Sequence, residues 1–190
     1  ASATATLDTI DVKHNVMIDL NGHKLNNIKL EVNKDVTLTL TGTAGSYVTQ
    51  VYVRKGGSFV IDSDANAGFN TIFVEDSAQL AVSDGAKVTA EQLTVIASVA
   101  DDGTTTTSVK LATGMKLGGL TYHRQNNSGA LKLGNLLDVT RQALRREDNG
   151  NYLDLYKEYG SMGYSGALTV VEHTDADHKY GSGTGKCAEC

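Results

Sequence analysis

Apolar and polar residues alternate in short runs along the first half of the chain, and the runs return at a fixed interval. One series holds Ile18 and Leu20, then Val36, Leu38 and Leu40, then Phe59 and Ile61, then Leu80 and Val82. A second series falls between them: Ile28, Leu30 and Val32; Val51 and Val53; Ile72 and Val74; Leu93 and Val95. A period of two within each run puts one set of side chains in a core and the other in solvent, as along a half-buried β-strand. From run to run each series advances by roughly 18 to 23 residues, a step near 21.

Turn-forming stretches separate the runs: "NGHK" at 21–24, "TGTAG" at 41–45, "RKGG" at 54–57, "DANAG" at 64–68 and "SDGA" at 83–86. Glycine and asparagine tolerate the positive φ that a sharp swing of the chain requires. An antiparallel sandwich also yields short, evenly spaced strands, but it does not need the same two-part unit to come back in phase. A two-part unit returning every 21 residues describes the coils of a solenoid. The pattern therefore predicts a right-handed parallel β-helix from about residue 10 to residue 122, with "ASVADDGTTTTSVKL" looped out of the last rung. Such a coil cannot bury its interior alone, so stacked neighbours and end caps supply its stability.

Beyond "NNSG" at 126–129 the pattern changes. Leu133, Leu136, Leu137, Thr140 and Leu144 recur at helical spacing, and Arg141, Arg145 and Arg146 sit where they would complement the C-terminal end of a helix dipole. "DNG" at 148–150 would stop that helix. Tyr152, Tyr156 and Tyr159 are also spaced as on a helix, to pack against the solenoid end or to form a sugar-stacking platform. "GALTVV" at 166–171 is a last strand. The organisation expected is a solenoid over 1–125, a small helix-containing α/β cap over 126–171, and a His/Cys tail over 172–190.

Composition narrows the function classes. The 190 residues include no proline and no tryptophan, and the net charge is -5. A phosphate-binding surface needs clustered Lys and Arg, so nucleic acid is not an expected partner. No apolar run approaches the roughly 20 residues that span a bilayer, so no membrane insertion is expected in this segment. The opening "ASATATLD" resembles an excised boundary, and the end at Cys190 points to a chain that continues.

The tail carries both cysteines, in the spacing H-x4-H-x8-C-x2-C through His173, His178, Cys187 and Cys190. Four nitrogen and sulfur ligands close a tetrahedral structural Zn2+ site, and the glycines at 181, 183 and 185 let the loop wrap back. A disulfide-linked or free CxxC pair, and a plain disordered tail, are the alternatives. "DSDANAG" at 62–68 imitates a calcium loop through Asp62, Asp64 and Asn66, but its glycine comes one place late and Phe73 stands where a bidentate Glu belongs, so a solenoid turn is expected. β-Helices also host polysaccharide lyases and hydrolases. Here Asp19, Asp62 and Asp84 lie at the ends of successive first-series strands, with His23 and the His123–Arg124 pair as possible assistants.

"VMIDLNGHKL" at 16–25, "LKLGNLLD" at 131–138, "DNGNYL" at 148–153, and "LTVVEH" followed by "GKCAEC" occur in an order that resembles modules of large, repetitive surface proteins of Gram-positive bacteria, particularly gut and oral commensals. "VTRQALRRE" and the second tail histidine depart from that pattern. The resemblance implies an extracellular module on the cell surface, attached to the cell wall through a longer parent chain. The function expected is a non-catalytic adhesin, binding or spacer segment contacting host glycans or a host protein such as mucin, a matrix protein or immunoglobulin. A carbohydrate-active β-helix enzyme and a purely structural stalk are the alternatives.

Overall fold

The computed structural model describes residues 8–23, 25, 27–126, 129–139 and 141–172, with only the backbone described at 44–49. In chain order the strands are β1 (Asp8–Val12), β2 (Val16–Asp19), β3 (Ile28–Val32), β4 (Thr37–Thr41), β5 (Thr43–Val53), β6 (Ser58–Ile61), β7 (Asn66–Val74) and β8 (Gln79–Val82). There follow β9 (Lys87–Ala97), β10 (Ser108–Lys110), β11 (Lys116–Leu117), β12 (Leu120–Arg124), β13 (Gln142–Arg146), β14 (Ser161–Tyr164) and β15 (Leu168–Glu172).

Two parallel sheets run along the stack and make a β-solenoid. One joins β2, β4, β6, β8 and β10; the other runs β1, β3, β5, β7 and β9, and then to β11 and β12. Thr37, Ser58 and Gln79 are neighbours across strands, as are Gln50, Thr71 and Gln92, which sets the repeat at about 21 residues per turn. The last coil departs from it. Gln79 faces Ser108, a step of 29 residues, so the loop after β9 adds eight to the regular 21. This is the segment expected to loop out.

Both apolar series point inward as columns. Leu38, Phe59, Leu80 and Val109 stack in one; Leu30, Val51, Ile72, Leu93 and Leu120 stack in another. All of these are buried, and each fully buried aliphatic side chain contributes about 1.5–3 kcal/mol. The period had shown two sides per coil, and the structure adds a third. In β7 Ala67 and Phe69 are buried, Asn70 and Thr71 both face outward, and Ile72 and Val74 are buried again. β9 repeats the slip at Glu91 and Gln92. Two outward residues in succession turn the strand through a corner. Phe59 reaches across the interior to meet Phe69 edge-on, with ring centroids 5.9 Å apart.

Between the long strand and the next coil the backbone takes a left-handed residue at the same step three times: Asp35, Gly56 and Ser77, with φ of 60°, 77° and 63°. Gly57, just after, has no room for a side chain. A Cβ there would lie 2.7 Å from the Asn33 carbonyl oxygen.

The cap is β rather than α/β. The helix expected over 131–148 is replaced by a single 3-10 turn at Leu133–Leu136 and by β13, and the three tyrosines lie on no helix. The physical reason is the open edge left by the last coil. β15 pairs antiparallel with β11 and with β13, while β14 pairs antiparallel with β12, so ladder bonds and burial of Ala143, Leu144, Leu168 and Val170 override the helical spacing. The strand expected at 166–171 is β15. At the other end β1 and β2 each have one strand partner among the described residues, and Ile10, Val16 and Met17 are 42%, 42% and 65% exposed.

Candidate functional site

His173, His178, Cys187 and Cys190 lie outside the described residues, as does the whole zinc expectation. Among the described residues no group of three or more His, Cys, Asp or Glu could hold a metal ion. In the calcium-like stretch Asp64 is engaged in the fold: its Oδ1 accepts the Thr41 hydroxyl at 2.7 Å and the Gly42 amide at 3.3 Å. Those bonds, the Thr41 hydroxyl first, hold its carboxyl below the ordinary range.

The aspartates considered for catalysis are not brought together. Asp19 pairs with Thr41, and Asp62 follows Ile61, the partner of Leu40, so the two stand two strands or roughly 10 Å apart on a flat sheet. Asp19 Oδ1 accepts the Asn21 amide of its own turn at 3.0 Å. Asp84 bonds to Arg141 at 3.2 Å in a depression of about 430 Å³ beside the cap. His123 meets Ser161, with 2.9 Å between Nδ1 and Oγ, while His23 sits in the first turn. The three arginines do not form a cationic cluster: Arg141 pairs with Asp138 and Asp84, Arg145 with Glu147, and Arg146 with Asp148.

Two outward faces remain. On the long side, Tyr52 stacks on Phe73 with centroids 5.3 Å apart, and the Lys29 ammonium lies 4.5 Å from the Tyr52 centroid. Arg54 bridges Glu31 at 3.1 Å and Glu75 at 2.7 Å, and Lys29 also reaches Glu31. The Lys29 contact is the first cause that lowers the Glu31 carboxyl, and Glu75 the first that raises the Arg54 guanidinium. The Tyr52 ring is thus enclosed by Phe73 and Lys29, and this face is a ladder that ties coils together.

The short third side is different. Gly68, Thr89, Lys116 and Thr169 fall in one line across β7, β9, β11 and β15. Two adjoining depressions of about 420 and 470 Å³ run over this line and share Thr89 and Lys116. Asn66 and Lys87 flank one side; Glu91, Gly118, Ala167 and Glu147 flank the other. At Gly118 the floor is low, because a side chain there would lie 2.7 Å from the Glu91 carbonyl oxygen.

Charge in the groove is divided. Glu91 Oε2 accepts the Asn70 amide at 2.7 Å. The Glu147 carboxyl lies below its ordinary pKa, first because of the Thr169 hydroxyl, although no full hydrogen bond to it is formed, and then because of Arg145 and Lys116. Neither Lys87 nor Lys116 takes part in an ion pair among the described residues.

Of these groove residues only Asn66 stands out in the sequence, and there as part of the calcium-like stretch. "NAGFN" at 66–70 and "KVTAE" at 87–91 do alternate and recur 21 apart, but alanine and glycine dilute the apolar signal. The parts supplied by Glu147 and Thr169 depend on antiparallel pairing that no local pattern announces. Compared with known proteins, the chain matches no family model, no curated protein and no solved structure.

Proposed function

We propose that this solenoid is a non-catalytic binding module of a bacterial surface protein, displayed outside the cell on a longer parent chain and engaging a host glycan or a glycan-bearing host protein such as mucin. The observation that carries this reading is the groove on the short side. It has small residues and polar side chains together in its lining and is built on consecutive coils, and its two lysines form no ion pair within 4 Å among the described residues. Backbone ladders hold the groove residues, so a ligand meets a surface already in place and little ordering energy is lost on binding. The resemblance of the segment order to Gram-positive surface modules supports the location.

The test is a panel of immobilised glycans, mucin, matrix proteins and immunoglobulin, run beside a reducing-sugar release assay. Binding without sugar release is the expected result. Sugar release that disappears on Asp62→Asn or Asp84→Asn would replace this reading with a carbohydrate-active enzyme. Silence across the whole panel would leave the stalk. Elemental analysis of the same protein should find about one zinc per chain if the tail is a structural clasp.

A further inference from the structure

We infer that the groove selects a carboxylated glycan, a chain of sugars bearing uronate or sialate groups, with Lys87 and Lys116 binding the carboxylates. This rests on the binding-module reading and goes beyond it to a ligand chemistry and to the residues that read it.

The geometry starts with Thr89. Lys87 is two residues before it on β9, and Lys116 is its neighbour on β11. With about 3.3 Å per residue along a strand and about 4.8 Å between strands, the two lysine Cα atoms are roughly 8 Å apart on a diagonal. Their side chains are exposed, and neither is within ion-pair distance of a carboxylate among the described residues, although Lys116 also acts at longer range on Glu147, so two positive charges stand over one short stretch of groove. Hydroxyl and carboxamide groups lie between and beside them, at Thr89 and Asn66. On the far side of the line, the Glu91 and Glu147 carboxylates accept hydrogen bonds from sugar hydroxyls.

Competing ligands fit less well. A densely sulfated or phosphorylated chain would bring many negative charges against Glu91 and Glu147 on a protein of net charge -5. A neutral glycan would need ring stacking for affinity, yet the aromatic residue lining the groove, Phe69, is 1% exposed and turned into the core. An extended peptide gains affinity by adding a strand to a free edge, but β9 is already paired on both sides, to β7 and to β11. Spaced carboxylates on a polyhydroxylated chain match both the lysines and the glutamates.

The experiment measures binding of the full 190-residue chain to polygalacturonate and to sialyllactose, each beside its uncharged counterpart, carboxyl-reduced polygalacturonate and lactose. The wild type is compared with Lys87→Gln, Lys116→Gln, the double variant and a double Lys→Arg variant; circular dichroism checks that each stays folded. The expected result is binding to at least one acidic probe, little to its uncharged counterpart, and weakening as salt is raised. The double Gln variant should lose about tenfold or more in affinity, and the double Arg variant should retain most of it. The acidic arm that responds tells a uronate source from a sialate source. Equal binding to the uncharged counterparts, wild-type affinity in the double Gln variant, or binding to host proteins alone would overturn the inference while leaving the binding module standing. No binding to any glycan or host protein would overturn both.

Discussion

At the scale of single residues, the charge most committed to the fold is Asp76, the one charged side chain buried among the described residues, at 8% exposure. Its Oδ1 accepts the Ser98 amide at 2.7 Å and the Thr106 hydroxyl at 2.5 Å, and Ser77 Oγ reaches Oδ2 at 3.3 Å. These bonds pin the loop that breaks the 21-residue step. Burial by itself would push this carboxyl up; the hydrogen bonds from Thr106, Ser98 and Ser77 outweigh it and hold the pKa below the ordinary value. The folded pKa is thus lower than the unfolded one. The stabilisation is complete above the unfolded value of about 3.9 and is lost as pH falls through the lower folded value. Asp76→Asn should lower stability at pH 7 by about 1–3 kcal/mol in urea unfolding. The gap between wild type and variant should then close as the pH is taken below about 4. A gap that stays constant down to pH 2 would show that the charge of Asp76 does not hold the loop.

Among the elements, the coil strands were legible in the sequence and the cap was not. Residues such as Leu38, Leu40, Ile72 and Val74 alternate strictly because each coil buries one face, and that period survives without knowledge of any partner. The cap residues Leu133, Leu136 and Leu137 mimic a helix at short range, yet their structure is decided by an edge that β11 and β12 leave open 9 to 21 residues earlier. The short side escaped notice for a related reason, since Ala67, Gly68 and Ala90 carry little hydrophobic signal. The candidate site inherits both blind spots, lying on the short side and completed by β15. The long side makes its own prediction. Tyr52→Ala should cost about 0.5–1.5 kcal/mol for the lost ring pair, beyond the loss of buried area, while leaving glycan affinity unchanged. Loss of glycan binding without loss of stability would make the ladder a binding surface.

For the whole molecule, the stack sets what is rigid and what is open. Its C-terminal end is closed by antiparallel strands, and its N-terminal edge keeps three exposed apolar side chains among the described residues, Ile10, Val16 and Met17. Between these ends the short side offers a groove with two lysines over β7, β9, β11 and β15, and the long side is occupied by its own ion pairs and rings. Recognition thus falls to one side of the solenoid and cohesion to another. Amide chemical-shift mapping during titration with the acidic probe that binds tests this most directly. The expected shifts are concentrated at Gly68, Lys87, Thr89, Lys116 and Gly118, with the amides of Tyr52 and Phe73 left in place. Shifts centred on Tyr52 and Phe73, or spread evenly over the stack, would contradict it.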